Sequence, residues 1–168
     1  MKLKAILSAV FTILLIGYFT GSTLAQTRNI SSRGQKQAQL KAFIGSWEGV
    51  FTAEEGGPPP FQIMLTFGSD GTVIGSDVGP PTPQLANPEH GAWERTGDNE
   101  FTIIYKQLIV DENGNLANTF KGRVKFILDP AKSEISGIVK VNLYDAEGHE
   151  LISGEGTIRC QKIRVERF

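Results

Sequence analysis

At Gly45-Ser46-Trp47 the chain changes period, and that change limits what it can fold into. Before it, Leu40, Phe43 and Ile44 form the apolar face of a short helix over 37–43, which Ser31 or Ser32 can cap and Gly45 stops. After it, apolar residues recur at alternate positions in runs separated by Gly, Pro, Asn and Asp. Phe61, Ile63, Leu65 and Phe67 show this most clearly. Strands are expected over 47–53, 61–67, 72–78, 90–95, 100–110, 116–128, 133–144 and 150–160, with 162–166 closing the chain. The stretch 79–89 carries Pro80, Pro81, Pro83 and Pro88 and reads as an unpaired loop. Connections of hairpin length without helical crossovers exclude a parallel sheet. The fold class is therefore all-β: an eight- to nine-stranded antiparallel meander β-barrel with a short N-terminal helix, a sandwich being the rival arrangement.

The N-terminus has a separate logic. Lys2 and Lys4 precede an almost wholly apolar run over 5–18, and Thr23-Leu24-Ala25 supplies small residues where a signal peptidase cuts. The run is shorter than the roughly 20 residues of a spanning helix. The expected organisation is a signal peptide over 1–25, a loose segment over 26–39 and one barrel domain over 40–168. The product is secreted or periplasmic, with no membrane attachment in the mature form. The remaining 143 residues suffice for one core. They carry 15 basic and 18 acidic side chains without a basic cluster, so no nucleic-acid partner is expected. Cys160, the one cysteine, leaves no internal disulfide and reads as a small buried hydrophobe in a strand.

Gly45-x-Trp47 at the start of the first strand, with arginines near the end of the last, resembles the opening of lipocalin-like (calycin-type) barrels. The blocks 57–61 and 90–94, Gly-Pro-Pro-Pro-Phe and His-Gly-Ala-Trp-Glu, are similar to small exported bacterial β-barrel proteins of that type with unassigned function. The resemblance implies that Gly45, Trp47 and Arg164 close one end of the barrel, the guanidinium lying across the Trp47 indole, with Arg159 and Arg167 as alternatives. It brings no catalytic residues.

Successive connections of a meander alternate between its ends. With Trp47 at the closed end, the loops 54–60, 79–89, 111–115 and 145–148 share the open mouth. His90 and His149 follow mouth loops, and so do Glu54, Glu55, Glu89, Asp111, Glu112, Asp145 and Glu147. No metal-ligand spacing, nucleophile elbow or phosphate cradle links them. Neither a metal nor a cofactor is expected, and turn polarity alone accounts for those residues. Alternation points Phe61, Ile63, Leu65, Trp93, Tyr105 and Phe126 inward, and small glycines share their register. With Asp77, His90 and Gln107 as polar groups, these are the candidate ligand-binding residues of an apolar pocket. The expected function is binding of a small apolar molecule. One alternative is a barrel enzyme, an isomerase or cyclase acting on an apolar substrate. A second is a packed barrel acting through its surface or by oligomerisation.

N-terminal sequencing of exported protein should return Gln26 as the first residue; a sequence starting at Met1 would refute cleavage after Ala25.

Overall fold

The computed structural model describes residues 34–78 and 85–167. The expected signal peptide, Ser31, Ser32, Pro80, Pro81 and Pro83 lie outside them. A helix, α1, covers 34–43, starting earlier than the apolar spacing indicated. Its residues 34–38 belong to the unit Met1–Ala38, and the rest belongs to the unit Gln39–Phe168 that contains every strand.

Nine strands follow: β1 (Gly45–Ala53), β2 (Phe61–Phe67), β3 (Thr72–Asp77), β4 (Leu85–Ala86), β5 (Glu89–Arg95), β6 (Glu100–Val110), β7 (Leu116–Asp129), β8 (Glu134–Asp145) and β9 (Glu150–Lys162). All pairings are antiparallel. Consecutive strands pair except at β4, where β3 pairs with β5 and β4 with β6; β1 pairs with β9, and β6–β7 completes the ring. The result is an eight-stranded closed meander barrel, because β4 adds no stave of its own. Leu85 and Ala86 pair with Val110 and Ile109 on β6, and His90 to Arg95 pair further along the same strand. β4 and β5 are thus one interrupted stave.

The stretch 79–89 was expected to be wholly unpaired, and this pairing corrects that. Proline forbids a ladder bond only at its own nitrogen. Pro88 sits in the break, where the Asn87 backbone N–H and side-chain amide both donate to the Leu108 carbonyl, 3.2 Å each. The chain also leaves the sheet after Lys162, so 162–166 adds no strand.

The closed end is built around the C-terminus of α1. A helix ends with carbonyls that have no partner within it. Here the Trp47 indole N–H donates to the Phe43 carbonyl at 2.9 Å. Lys162 Nζ donates to the Ala42 carbonyl and, at 2.7 Å, to that of Ile44. An ammonium at this position also suits the negative end of the helix dipole. Gly45 makes the exit possible: its φ is +124°, and a Cβ there would meet Lys162 Cε at 3.3 Å.

The expectation that Arg164 covers Trp47 is corrected by the register. Trp47 lies directly opposite Lys162 across β1 and β9. Lys162 Nζ stands 5.2 Å from the centre of the Trp47 ring. Arg164 lies beyond the last strand residue and donates instead to the Ser133 hydroxyl. Burial and the nearby Arg164 charge both hold the Lys162 ammonium below its ordinary pKa.

Phe43 is the plug. It is fully buried, stacks on Phe101 at 3.8 Å between ring centres and on Phe67 at 4.4 Å, and meets Trp93 at 5.1 Å. Trp93 is fixed in turn by its indole N–H, which donates to the Gly68 carbonyl at 3.0 Å.

Trp47→Ala should lower stability by about 3–5 kcal/mol in a urea titration, as expected for a fully buried aromatic. Lys162→Met should cost about 1–3 kcal/mol by stranding the helix carbonyls. Arg164→Met should cost less than about 1 kcal/mol. An order reversed between the last two would place the end lock on Arg164.

Candidate functional site

Inward-facing side chains change character along the barrel. On β2 their exposure rises from the closed end to the mouth: Phe67 1 %, Leu65 6 %, Ile63 8 %, then Phe61 half-buried. Phe101 and Ile103 are buried on β6, whereas Tyr105 beyond them is half-buried. Phe126 and Val124 are buried on β7, and Phe120 is half-buried. Solvent therefore reaches Phe61, Tyr105 and Phe120 at the mouth and is excluded at the base, while Glu89 and Gln107 in the mouth half stay buried at 6 % and 8 % exposure. The candidates divide accordingly. Ile63, Leu65 and Phe126 belong to the core cluster, with Trp93 packed against it. Phe61, Asp77, Tyr105 and Gln107 lie on the inward register of the mouth half. His90 is exposed on the opposite register from Glu89 and Gly91, and its backbone pairs with Ile74 and Lys106.

Glycines determine how the polar side chains sit. A Cβ on Gly75 would lie 2.2 Å from Glu89 Oε2. A Cβ on Gly122 would lie 2.1 Å from the Tyr105 ring, and one on Gly91 2.8 Å from Tyr105 Cβ. The Glu89 carboxyl thus lies across β3 and the Tyr105 ring across β7, each over a residue without a side chain. Tyr105 also meets Phe120, with ring centres 6.2 Å apart. Mouthward on the neighbouring staves, Phe51 and Phe61 pack at 5.0 Å.

Glu89 is the residue that sequence reasoning placed at the mouth but did not select. It is 6 % exposed, and burial followed by the nearby Asp77 charge pushes its carboxyl up to about 8. Burial, then Glu89 and Asp77, raises the Tyr105 phenol well above its ordinary value. Period two could have found Glu89, because it shares a face with Gly91 and Trp93. The neighbouring Pro88 instead makes Glu89 read as the end of the turn.

The chain matches no protein-family model, and no curated protein matches it.

Other chemistry-bearing groups do not converge on the mouth interior. Cys160 is 1 % exposed, and burial pushes its thiol up to about 12, which keeps it protonated and unreactive. His149 Nδ1 lies 3.0 Å from Asp145 within an exposed turn. Asn142, the third buried polar side chain with Glu89 and Gln107, accepts from Arg123 at 2.7 Å and donates to Glu150 at 3.0 Å. Among the described residues no group of three or more His, Cys, Asp or Glu side chains could hold a metal ion. A cavity of about 230 Å³ lies at the opposite end, lined by Trp47, Leu128, Pro130, Ser133, Lys162 and Arg164 with Ala42 of α1.

Glu89 makes stability depend on pH with a definite sign. The folded chain keeps the proton up to about pH 8, whereas the unfolded carboxyl loses it near 4.5. Between those values the folded state binds the extra proton, so stability falls as pH rises, by up to about 1.4 kcal/mol per unit, and levels off above 8. Glu89→Gln should remove this slope and raise the midpoint of urea unfolding at neutral pH. An unchanged slope would show that the carboxyl is already ionised in the folded protein.

Proposed function

We propose that this protein is a lipocalin-like binding protein that takes a small, largely apolar molecule into the mouth half of its barrel, and that it works as an exported chain after removal of 1–25. The observation that carries the reading is the partial exposure of inward-facing apolar side chains in the mouth half. The base is a dry aromatic plug, while half-buried Phe51, Phe61, Tyr105 and Val141 face inward where solvent still reaches them. Apolar side chains lining a concave interior, with a few polar groups among them, are the usual composition of a small-molecule site. The fold supports the same reading, since an eight-stranded barrel is wide enough for side chains or one small ligand.

The ligand enters beside the loop 54–60, at the end away from Trp47. Pro58, Pro59 and Pro60 on one side of that entrance have fixed φ and no N–H to donate, so the rim loses little freedom on binding. Phe61, Ile63, Tyr105, Gln107 and Asp77 are the contacts, and Phe126 and Trp93 form the floor. The interior of the mouth half also holds an acid, Glu89, and a phenol, Tyr105. These are the groups an isomerase acting on an apolar substrate would use, so that enzyme remains the second reading.

Calorimetry with apolar compounds should give binding with a negative heat-capacity change, the mark of buried apolar surface. Tyr105→Trp, which enlarges the side chain over Gly122, should weaken that binding at least about tenfold by filling the space. Uniform failure of folded protein to bind fatty acids, terpenoids and pigments would reject the reading in favour of a barrel acting through its surface.

A further inference from the structure

Basic residues that are scattered along the sequence meet on the outside of the barrel. Lys106, Lys121, Arg123 and Lys140 lie on three different strands, so no basic run marks them. On β6, Phe101, Ile103 and Gln107 are buried inward, which turns Ile104, Lys106 and Leu108 outward. The same alternation turns Lys121 and Arg123 of β7 and Lys140 of β8 outward. Register then sets them side by side. Lys106 is directly opposite Lys121, and in the next outward row toward the closed end Arg123 is directly opposite Lys140. His90 of β5 continues the first row on the other side of Lys106.

Like charges directly opposite each other on a sheet repel, and the fold holds two such pairs together. Neither Lys106 nor Lys121 has an ion-pair partner among the described residues. Of the acids beside them on β9, Glu155 pairs with Lys140 at 2.6 Å and Glu150 accepts from Asn142 at 3.0 Å. The Arg123 guanidinium donates to the neutral Asn142 side chain, which leaves its charge uncompensated. An anion laid over this face offsets the repulsion within it. The outer wall of a closed barrel is convex and cradles no small ion, so the matching anion is an extended surface. The apolar neighbours decide which one. Ile104 and Leu108 flank Lys106 along β6 and are 43 % and 51 % exposed. Aliphatic side chains exposed between cations suit a phospholipid surface, with phosphates for the cations and an acyl boundary for the rest. A nucleic-acid duplex offers the phosphates and nothing in which those aliphatic side chains could be buried.

We propose that the outer face of β6 to β8 is a peripheral docking surface for an anionic phospholipid bilayer. Lys106, Lys121, Arg123 and Lys140 meet the headgroup phosphates, and Ile104 and Leu108 reach the acyl boundary. The contact does not depend on what the interior holds, because these side chains stand on the other side of the sheet. Each lysine or arginine close to such a surface contributes about fivefold in affinity, and the attraction fades within a Debye length. Docking therefore weakens as salt is added, and it weakens most when a cation of these two rows is reversed.

The test is flotation of the chain, as recovered from its host, with vesicles of phosphatidylcholine alone or mixed with an equal part of phosphatidylglycerol. A short DNA duplex, followed by calorimetry, supplies phosphates without acyl chains. In about 50 mM salt the mixed vesicles should bind at least about tenfold more tightly than phosphatidylcholine, and about 300 mM salt should shrink the difference. Lys121→Glu should weaken mixed-vesicle binding at least about tenfold. Lys132→Glu, the same change in the turn after Asp129, should alter it less than about threefold. Ile104→Ser should weaken vesicle binding at least about threefold and leave the duplex unaffected. Lys121→Glu sets an acid opposite Lys106, so its urea midpoint should not fall, and a lower midpoint would refute the repulsion on which the assignment stands. Equal binding to both vesicles, or equal losses from Lys121→Glu and Lys132→Glu, would overturn the docking surface. A duplex bound as tightly as the mixed vesicles, with Ile104→Ser silent on both, would overturn the lipid partner in favour of a soluble polyanion.

Discussion

The contact on which the barrel depends is the one between the end of a helix and the two residues that face each other where the first and last strands meet. Trp47 and Lys162 are cross-strand partners, and both donate to carbonyls at the end of α1. Without them the helix would bring three unpaired carbonyls to the edge of an apolar plug, at a desolvation cost of about 1–3 kcal/mol for each. With them, Phe43 can stand in the centre of the base and stack on Phe101 and Phe67. The positive φ of Gly45 follows from the same geometry, because the chain must turn from helix into strand within one residue beside the Lys162 side chain.

A base packed in this way leaves the other half of the interior free to be polar. Stability resides in the aromatic layer around Phe43, so Glu89 and Tyr105 can occupy positions that weaken the fold. The two ends of the barrel have separate tasks. Gly75 and Gly122, opposite the polar groups, act as spaces into which a long side chain folds, and they shape the interior as much as the larger residues do.

Much of this was legible in the sequence because strand periodicity leaves a strong mark. The alternation through Phe61, Ile63, Leu65 and Phe67 is the burial pattern of β2, and the turn residues set off the long hairpins of β6 to β9. Three local features were not legible. Leu85 and Ala86 pair because β6 is long enough to accept a second partner beyond β5, a property of β6 and not of the proline-rich stretch itself. The cation over Trp47 was expected to be Arg164 because the resemblance implies an arginine from the last strand there, and only the cross-strand register puts Lys162 opposite Trp47. Glu89 was obscured for a related reason: a lone acid beside a proline reads as turn chemistry until the strand it begins is known to face inward.

Closure by β1 and β9 joins Trp47 to Lys162 across almost the whole of the folded sequence. A ring closed in this way has no free edge, and until it closes it has two. During synthesis β1 waits through seven other strands for its partner, and the helix carbonyls above Trp47 wait for the same residue. A chain cut short before β9 would keep most of its hairpins yet expose the edges of β1 and β8 together with an uncovered base. The last strand therefore works as a check on completeness: intermediate lengths are sticky and open to proteolysis, and the finished barrel presents neither an edge nor its aromatic floor.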